Sequence, residues 1–381
     1  MPIKPLDRQR LQQALLLAEQ AVGLSDPNPR VGCVVGREDG TVLGQGWTQE
    51  AGGPHAEVMA LRAVRQQGHS LLGATVWVSL EPCAHYGRTP PCCDALIESG
   101  VARVVVAATD PYPNVSGQGI ARLRAAGIAV DLADDELRSA AWEMNIGFFS
   151  RVVRGRPWVR VKSASSLDGR TALPDGQSQW ITCSEARTDG HAWRRRAGAV
   201  LTGIGTVLAD NPRMDVRLVP TQRQPLRCVL DSQLRLPIEA RVRHDDRLLI
   251  YTEHARASTG PNLPMGAGVL VGVPVAPGGG LDLAAVVRDL AGREINELHV
   301  EAGARLSGAF IEAGLCDELL LYLAPTLLVG GPGIATLALP PSLASAHRLN
   351  WTECIRVGGN LRLRLRAEGS APCEWMPVAA P

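Results

Sequence analysis

Apolar side chains recur at helical spacing through residues 7–23, at Leu11, Ala14, Leu15, Ala18 and Val22, and Gly23 ends the run. After the turn Asp26-Pro27-Asn28-Pro29, the apolar stretch Val31–Val35 predicts a strand, with residues 41–47 as its hairpin partner. The pattern then alternates. His55–Gln66 reads as helix, Ala74–Leu80 as strand, Pro90–Ser99 as helix and Val101–Ala108 as strand. Gly119–Ala126 closes the series as a helix and Ile128–Leu132 as a strand, which together imply an α/β layer sandwich.

Arg154-Gly155-Arg156-Pro157 interrupts the alternation, so the reading divides the chain into a domain over 1–147, a linker over 148–156 and a domain over 157–367. The second series is again α/β. Strands are predicted at 158–164, 199–204, 226–231, 247–252, 297–301, 317–324 and 361–366, and helices at 184–197, 282–291 and 304–313. The Gly- and Pro-rich stretch 255–280 reads as loops at a sheet edge, and 368–381, which has no periodicity, as a mobile tail. The two halves do not repeat each other.

Composition narrows the function classes. The 381 residues are 45% hydrophobic and 20% charged, as in ordinary globular enzymes, and the net charge is +1. Neither a nucleic-acid footprint nor an anionic-membrane footprint is present, although Arg194-Arg195-Arg196 can hold a phosphate. No apolar run reaches the ~20 residues of a membrane span, and Met1–Pro5 lacks a signal-peptide pattern, so the expected location is the cytoplasm. Nine cysteines, an odd and scattered set, agree with a reducing compartment, and Cys33 and Cys228 read as small buried hydrophobes.

Three cysteines stand apart, because they fall near a histidine and a carboxylate in a metal-ligand pattern. His55-Ala56-Glu57 is followed by Pro82-Cys83 and then by Pro91-Cys92. One imidazole and two thiolates hold Zn²⁺ at three corners of a tetrahedron and leave the fourth for water, whose pKa falls to ~7. Zinc nucleobase deaminases have this pattern, with a carboxylate that is not a ligand serving as the proton shuttle; Glu57 fits that part. The predicted helix start at Cys92 favours a thiolate. Eight residues separate Cys83 from Cys92 where two are usual, so Ala84–Pro91 forms a loop beside the metal that can cover the site and touch substrate. His85 and Cys93 are rival ligands by chemistry alone, and either can complete a closed structural zinc knot, a site in which Glu57 has no purpose.

The segment from Leu80 to Cys92 closely resembles the bifunctional riboflavin-biosynthesis deaminase–reductases, as do Asp26–Pro29 with Val31-Gly32, and Gly53–Glu57. In the second half the resemblance lies in Ser166–Gly169, Ser178–Thr182, Gly203–Val207, Asp210–Pro212 and Val300–Gly303, and it covers roughly residues 7–366 in consistent order. It implies a cytidine-deaminase-like α/β/α sandwich followed by a dihydrofolate-reductase-like α/β domain. It also implies two consecutive reactions on a phosphorylated aminopyrimidine. The first removes the 2-amino group of a phosphoribosylamino-diaminopyrimidinone, with zinc. The second reduces the ribosyl group to a ribityl chain, with NADPH. His55, Cys83 and Cys92 would then bind zinc and Glu57 would move the proton, while Asn28 would face the pyrimidine or simply form the turn between two prolines.

Gly203-Ile204-Gly205 after a predicted strand admits a dinucleotide, although a full glycine fingerprint is absent. The resemblance implies cofactor contacts at Ser165, Trp180, Thr206, Asp210 and Ser232, and along Gly303, Ala304, Arg305, Leu306, Ser307, Gly308 and Ala309, read as lying ahead of a helix whose amides meet phosphate. It implies substrate contacts at Ser178, Arg194, Met214, Arg217 and Glu301. Without it, Arg194 reads as a solvated helix face and Trp180 as a core aromatic. Glu301 ends an apolar strand, where a carboxylate needs a partner. Met214-Asp215 stands where the family has Leu-Thr, which brings a negative charge towards the expected phosphate. No residue of this half stands out as the acid for hydride transfer. A single-function zinc nucleobase deaminase with a degenerate second domain is the rival reading; near-zero net charge and 4% aromatics argue against its nucleic-acid version. A zinc-stabilised regulatory protein is the non-enzymatic rival. Homo-oligomerisation is left open.

Overall fold

In a computed structural model of the protein, residues 3–87, 89–112, 115–259 and 268–376 are described. Arg88 of the loop between the two cysteines, residues 260–267 of the stretch read as edge loops, and 377–381 of the tail lie outside the described residues. Contacts divide the chain into two compact units, Met1–Gly155 with Pro372–Pro381, and Arg156–Ala371.

The first unit runs α1 (Pro5–Ala18), β1 (Gly32–Gly36), β2 (Val42–Trp47), α2 (Ala56–Gln66), β3 (Thr75–Val78), α3 (Cys92–Glu98), β4 (Arg103–Val106), α4 (Gln118–Ala125), β5 (Ala129–Leu132), α5 (Asp135–Met144) and α6 (Ile146–Arg154). Its five-stranded sheet has the order β2-β1-β3-β4-β5. β1 is antiparallel to β2 and β3, and the β3-β4-β5 side is parallel. Continuously buried strands such as Gly32–Gly36 and Thr75–Val78 carry helices on both faces. Glycine sets the depth of α2. A Cβ on Gly46 would lie 2.5 Å from the Met59 side chain, and one on Gly44 would lie 2.6 Å from Val64. The bare backbone of β2 therefore lets α2 lie against it and fixes where the start of α2 falls.

α6 occupies most of the stretch read as a linker, with Phe149 fully buried. The Arg-Gly-Arg-Pro signal marks its C-terminal end, where Gly155 takes a positive φ of 68°.

The second unit contains β6 (Trp158–Ser166), α7 (Ser184–Arg196), β7 (Ala199–Gly203), α8 (Ile204–Asp210), β8 (Leu226–Leu230), β9 (Leu248–Glu253), α9 (His254–Thr259), β10 (Val269–Val273), α10 (Leu283–Gly292), β11 (Glu297–Glu301), α11 (Ala304–Glu312), β12 (Glu318–Ala324), β13 (Leu349–Val357) and β14 (Asn360–Ala367). The nine strands are ordered β10-β9-β8-β7-β11-β6-β12-β14-β13. From β10 to β12 all pairings are parallel, and the β12-β14-β13 end is antiparallel. The apolar core lies around the central strands, with Val161, Leu201, Leu298 and Val300 inaccessible.

β10 lies within the stretch read as loops. It is an edge strand, and only its last residue is buried. β13 also had no sequence signal, since most of its side chains face outward and no apolar alternation marks it. Helix α7 has no wide apolar stripe and docks through charge. Its Trp193 ring is flanked by the guanidiniums of Arg160 at 4.3 Å, Arg364 at 5.1 Å and Arg362 at 5.4 Å. Its Asp189 accepts from the Tyr322 hydroxyl at 2.5 Å and from Arg362 at 2.8 Å. The buried Arg160 is in turn held by Glu318 at 2.5 Å and Glu297 at 2.9 Å. Where the sequence suggested a mobile tail from 368, Pro372–Trp375 forms a final short helix, and Met376 is buried in the core of the first unit.

Candidate active sites

His55 is the N-cap of α2, Glu57 sits in its first turn, and Cys92 opens α3. Cys83 follows β3 on the loop that returns to α3. The His55 Nδ1 atom lies 3.3 Å from Cys92 Sγ and 3.6 Å from Cys83 Sγ, and the three donor atoms all fall within 4.8 Å of one another. The Cys92 amide points at Cys83 Sγ from 3.3 Å, as the start of a helix allows. The hydrogen bond with Cys92, helped by that with His55, lowers Cys83 to about 4, which makes it the readier thiolate of the pair. One imidazole and two thiols in this compact, largely buried set suit zinc, and no fourth ligand joins them among the described residues, which leaves a coordination corner open. Glu57 is 3% exposed, and burial followed by the nearby Cys83 thiolate raises its carboxyl to about 7. A carboxyl at that value can both accept and return a proton near neutral pH.

Neither rival ligand belongs to the group. Cys93 turns into the core and donates to the Pro82 carbonyl at 3.3 Å, and burial pushes its thiol up to about 12. The His85 ring leans on Tyr112 with centroids 5.9 Å apart, and its buried Nδ1 has no hydrogen-bond partner among the described residues. Glu81, which falls within the Leu80–Cys92 segment, is a structural anchor. Its carboxylate accepts from the amides of Asp110, Gly117, Gly119 and Ile120 at 3.0–3.2 Å, which ties the loop before α4 to the Cys83 segment. Asn28 sits in the turn before β1, where its amide donates to the Ser25 carbonyl at 2.9 Å and its carbonyl accepts from the Ser25 hydroxyl at 3.2 Å.

In the second unit the ends of β7, β8 and β11 and the start of α11 open on a cavity of about 1270 Å³. Ligands of open parallel sheets bind at such carboxyl ends. Ser178, Trp180, Thr206, Asp210, Ser232, Glu301, Gly303, Ala304, Arg305, Leu306 and Ala309 line it, together with Gly203 and Gly205. The run Gly303–Ala309 lies mostly on α11 and not ahead of it. Ser307 and Gly308 therefore fall on the buried side, and a Cβ on Gly308 would meet the Thr336 carbonyl oxygen at 1.9 Å. Ser165 is fully buried in β6 and its hydroxyl is unpartnered, and Met214 packs in the apolar cluster with Val207 and Val229.

Arg194 is not a solvated helix face. Its Nε and Nη2 grip Glu301 at 2.5 and 2.8 Å, and its Nη1 donates to the Asp215 carbonyl at 2.8 Å. Despite burial, Arg194 and then Lys162 hold the Glu301 carboxyl well below the usual range. Asp215 binds Arg217 at 2.8 Å and Arg213 at 2.7 Å, so its charge is compensated locally. Trp180 is 65% exposed on the cavity wall and not a core aromatic, with Arg187 over its ring at 4.5 Å. Lys162 also lines the cavity, and burial lowers its pKa. The sequence reading passed it over; Arg160 and Lys162, two charges on alternate positions of a predicted strand, were the available signal.

Residues 5–108 match the cytidine and deoxycytidylate deaminase zinc-binding region, and residues 157–361 match the RibD C-terminal domain. The riboflavin biosynthesis protein RibD of Escherichia coli is 42% identical over 384 residues, spanning 94% of this chain and 99% of that protein. RibD of Aquifex aeolicus is 40% identical, covering 88% and 92%. Among solved structures, Acinetobacter baumannii RibD superposes with a TM-score of 0.84 at 38% identity, covering 95% of this chain and 99% of that one. A diaminohydroxyphosphoribosylaminopyrimidine deaminase/5-amino-6-(5-phosphoribosylamino)uracil reductase of Thermotoga maritima gives 0.84 at 31% identity, with the same coverage.

Fold and sites thus define a two-headed enzyme, in which a deaminase of the zinc-binding cytidine type is followed by a dihydrofolate-reductase-like reductase. The chain belongs to the RibD family, the bifunctional deaminase/reductases of riboflavin biosynthesis. No helix among the described residues is long and apolar enough to cross a membrane, and all nine cysteines are free.

Proposed function

We propose that the chain deaminates 2,5-diamino-6-(5-phosphoribosylamino)pyrimidin-4-one and then reduces its ribosyl arm to give 5-amino-6-(5-phosphoribitylamino)uracil. The convergence of His55, Cys83 and Cys92 beside the buried Glu57 carries the first half of this reading. Zinc bound by these three residues supplies Lewis acidity that makes water a nucleophile at neutral pH. Glu57 takes a proton from the attacking water and delivers one to the 2-amino group, so that C2–N breaks and ammonia leaves. Asn28 at the turn before β1 is suited to the pyrimidine edge, its carboxamide having no hydrogen bond to a described residue.

For the second half, the cavity is large enough for a dinucleotide beside a phosphorylated pyrimidine. NADPH held there would supply the hydride that C1 of the opened ribosyl arm gains, and the reduction takes up one proton. Lys162, with its pKa lowered by burial, is the group we assign to give that proton, with Glu301 and Arg194 orienting the arm. Ser178, Arg217 and the backbone at Met214 complete the substrate side. The backbone amides that open α11 and Arg305 suit the dinucleotide's pyrophosphate, while Trp180, Thr206, Asp210 and Ser232 flank the rest of the cofactor.

Purified protein is expected to carry a single zinc per chain. It should release ammonia from the diaminopyrimidinone phosphate and oxidise NADPH only after that step. Protein free of zinc that still releases ammonia would overturn the first half, and indifference to NADPH with the deaminated intermediate present would overturn the second.

A further inference from the structure

One cation on the cavity wall has no part in the reading above. The chain leaving β8 makes a tight turn over Asp231–Leu236. The carbonyl of the fully buried Asp231 accepts from the Leu234 amide at 3.3 Å, and its Oδ2 accepts from the Leu236 amide at 2.7 Å. The Thr252 hydroxyl donates to the Ser232 carbonyl at 3.2 Å. Leu236 is buried in the apolar cluster under the turn, and Leu234 packs against that cluster although its φ is 55°. A left-handed backbone at leucine is costly and persists only where the surroundings impose it. Both neighbours of Arg235 are therefore pinned, and Arg235 is the residue left projecting. It lines the cavity with Ser232 and is exposed, and no hydrogen bond or ion pair engages its side chain among the described residues.

Of the other three cavity cations, two are engaged by described residues, and the third, Arg305, is assigned above to the pyrophosphate. Lys162 lies over the Tyr322 ring and near Glu301. Arg187 stacks on Trp180 and donates to the Thr182 carbonyl at 2.7 Å. Arg305 stands on the first turn of α11. A phosphorylated dinucleotide bears anionic groups in two places, the pyrophosphate and the adenosine ribose, and the cavity has two places to meet them. Dinucleotide sites hold an unphosphorylated ribose with a carboxylate and a 2′-phosphate with an arginine. Here the carboxylate of Asp231 is buried outside the cavity lining, with its Oδ2 on the Leu236 amide, while Arg235 lines the cavity.

We infer that Arg235, with the Ser232 hydroxyl beside it, reads the 2′-phosphate of the adenosine ribose and sets a preference for NADPH over NADH. This inference rests on the cavity being the reduced-dinucleotide site. The turn fixes the backbone from which Arg235 projects, so only the rotamers of its side chain are ordered when the phosphate docks.

The test is calorimetric titration of the full-length protein, wild type and Arg235→Gln, with adenosine 2′,5′-bisphosphate and with adenosine 5′-monophosphate. Steady-state kcat/KM for NADPH and NADH accompanies it. Wild type should bind the bisphosphate more tightly. Arg235→Gln should lose about 10- to 100-fold in bisphosphate affinity and in kcat/KM for NADPH, the worth of a charge-assisted contact. Monophosphate and NADH should change by less than about twofold, since neither carries the phosphate that Arg235 contacts. Arg305→Gln should weaken both nucleotides together. Wild type that binds the two nucleotides alike, discrimination that survives Arg235→Gln, or a parallel loss of both nucleotides in that variant overturns the assignment. Wild type that binds neither nucleotide and oxidises neither dinucleotide overturns the dinucleotide reading of the cavity itself, and the assignment with it.

Discussion

The first unit draws its chemistry from four side chains, His55, Glu57, Cys83 and Cys92, delivered by two helix starts and one loop within a short span of chain. The second unit draws its cavity wall from segments scattered between Lys162 and Thr336, many of them contributing backbone or small side chains. A metal needs particular donor atoms at bonding distance, so the first site cannot lose one and keep its chemistry. A dinucleotide is held by many modest contacts over a long surface, so the second site should yield in steps. The contrast separates an all-or-none centre from a graded one in a single chain.

The largest effect expected is at Glu57. Glu57→Gln should cut ammonia release by about 10³-fold or more, within the range of a lost acid–base group, while NADPH oxidation with the deaminated intermediate stays at the wild-type rate. Coupled ammonia and absorbance assays check both. Removing zinc with a chelator should abolish ammonia release alone, and metal analysis should find Cys92→Ser depleted.

Lys162→Met should lower kcat of the reduction by about 10²-fold and leave deamination intact. Burial lowers the pKa of Lys162, and the protonated form is the donor. The reductive kcat of the wild type should therefore fall as pH rises through a value below the ordinary lysine range, and the variant should lack that limb. A pH–rate profile of the reductive half-reaction reads this directly. At the small end for catalysis, Gly308→Ala pushes a methyl into the Thr336 backbone, so α11 or the Thr336 segment must move. A rise of about 1–2 kcal/mol in the free energy of cofactor binding is expected, seen in KM for NADPH and not in kcat. A collapse of ammonia release in that variant would blur the distinction between the two sites.

The same contrast explains what could be read from the chain beforehand. The zinc donors were legible because a metal demands fixed residue types at short spacings, and the turn of Cys93 into the core follows from its place next to Cys92 on a helix. The central strands were legible as apolar runs, because parallel strands are buried on both faces. β10 and β13 were not, since edge strands with outward side chains lack that signature. α6 was hidden by the Gly and Pro that follow it. In the reductase site, eleven of the residues that resemblance named line the cavity, but pattern could not tell which faces of α11 look outward. Ser307 and Gly308 are buried for that reason. Lys162 was overlooked because it shares its strand with a second basic residue, Arg160, and the mutual grip of Arg194 and Glu301 is a long-range pairing that no local pattern encodes.

The most direct test is to supply Glu57→Gln, shown to be folded and zinc-loaded, with first the diaminopyrimidinone phosphate and then its deaminated product, following ammonia and NADPH in one cuvette. No ammonia from the first and undiminished NADPH oxidation with the second is the predicted result. Loss of both signals in that folded protein would mean that the two reactions share one site, and would contradict the account.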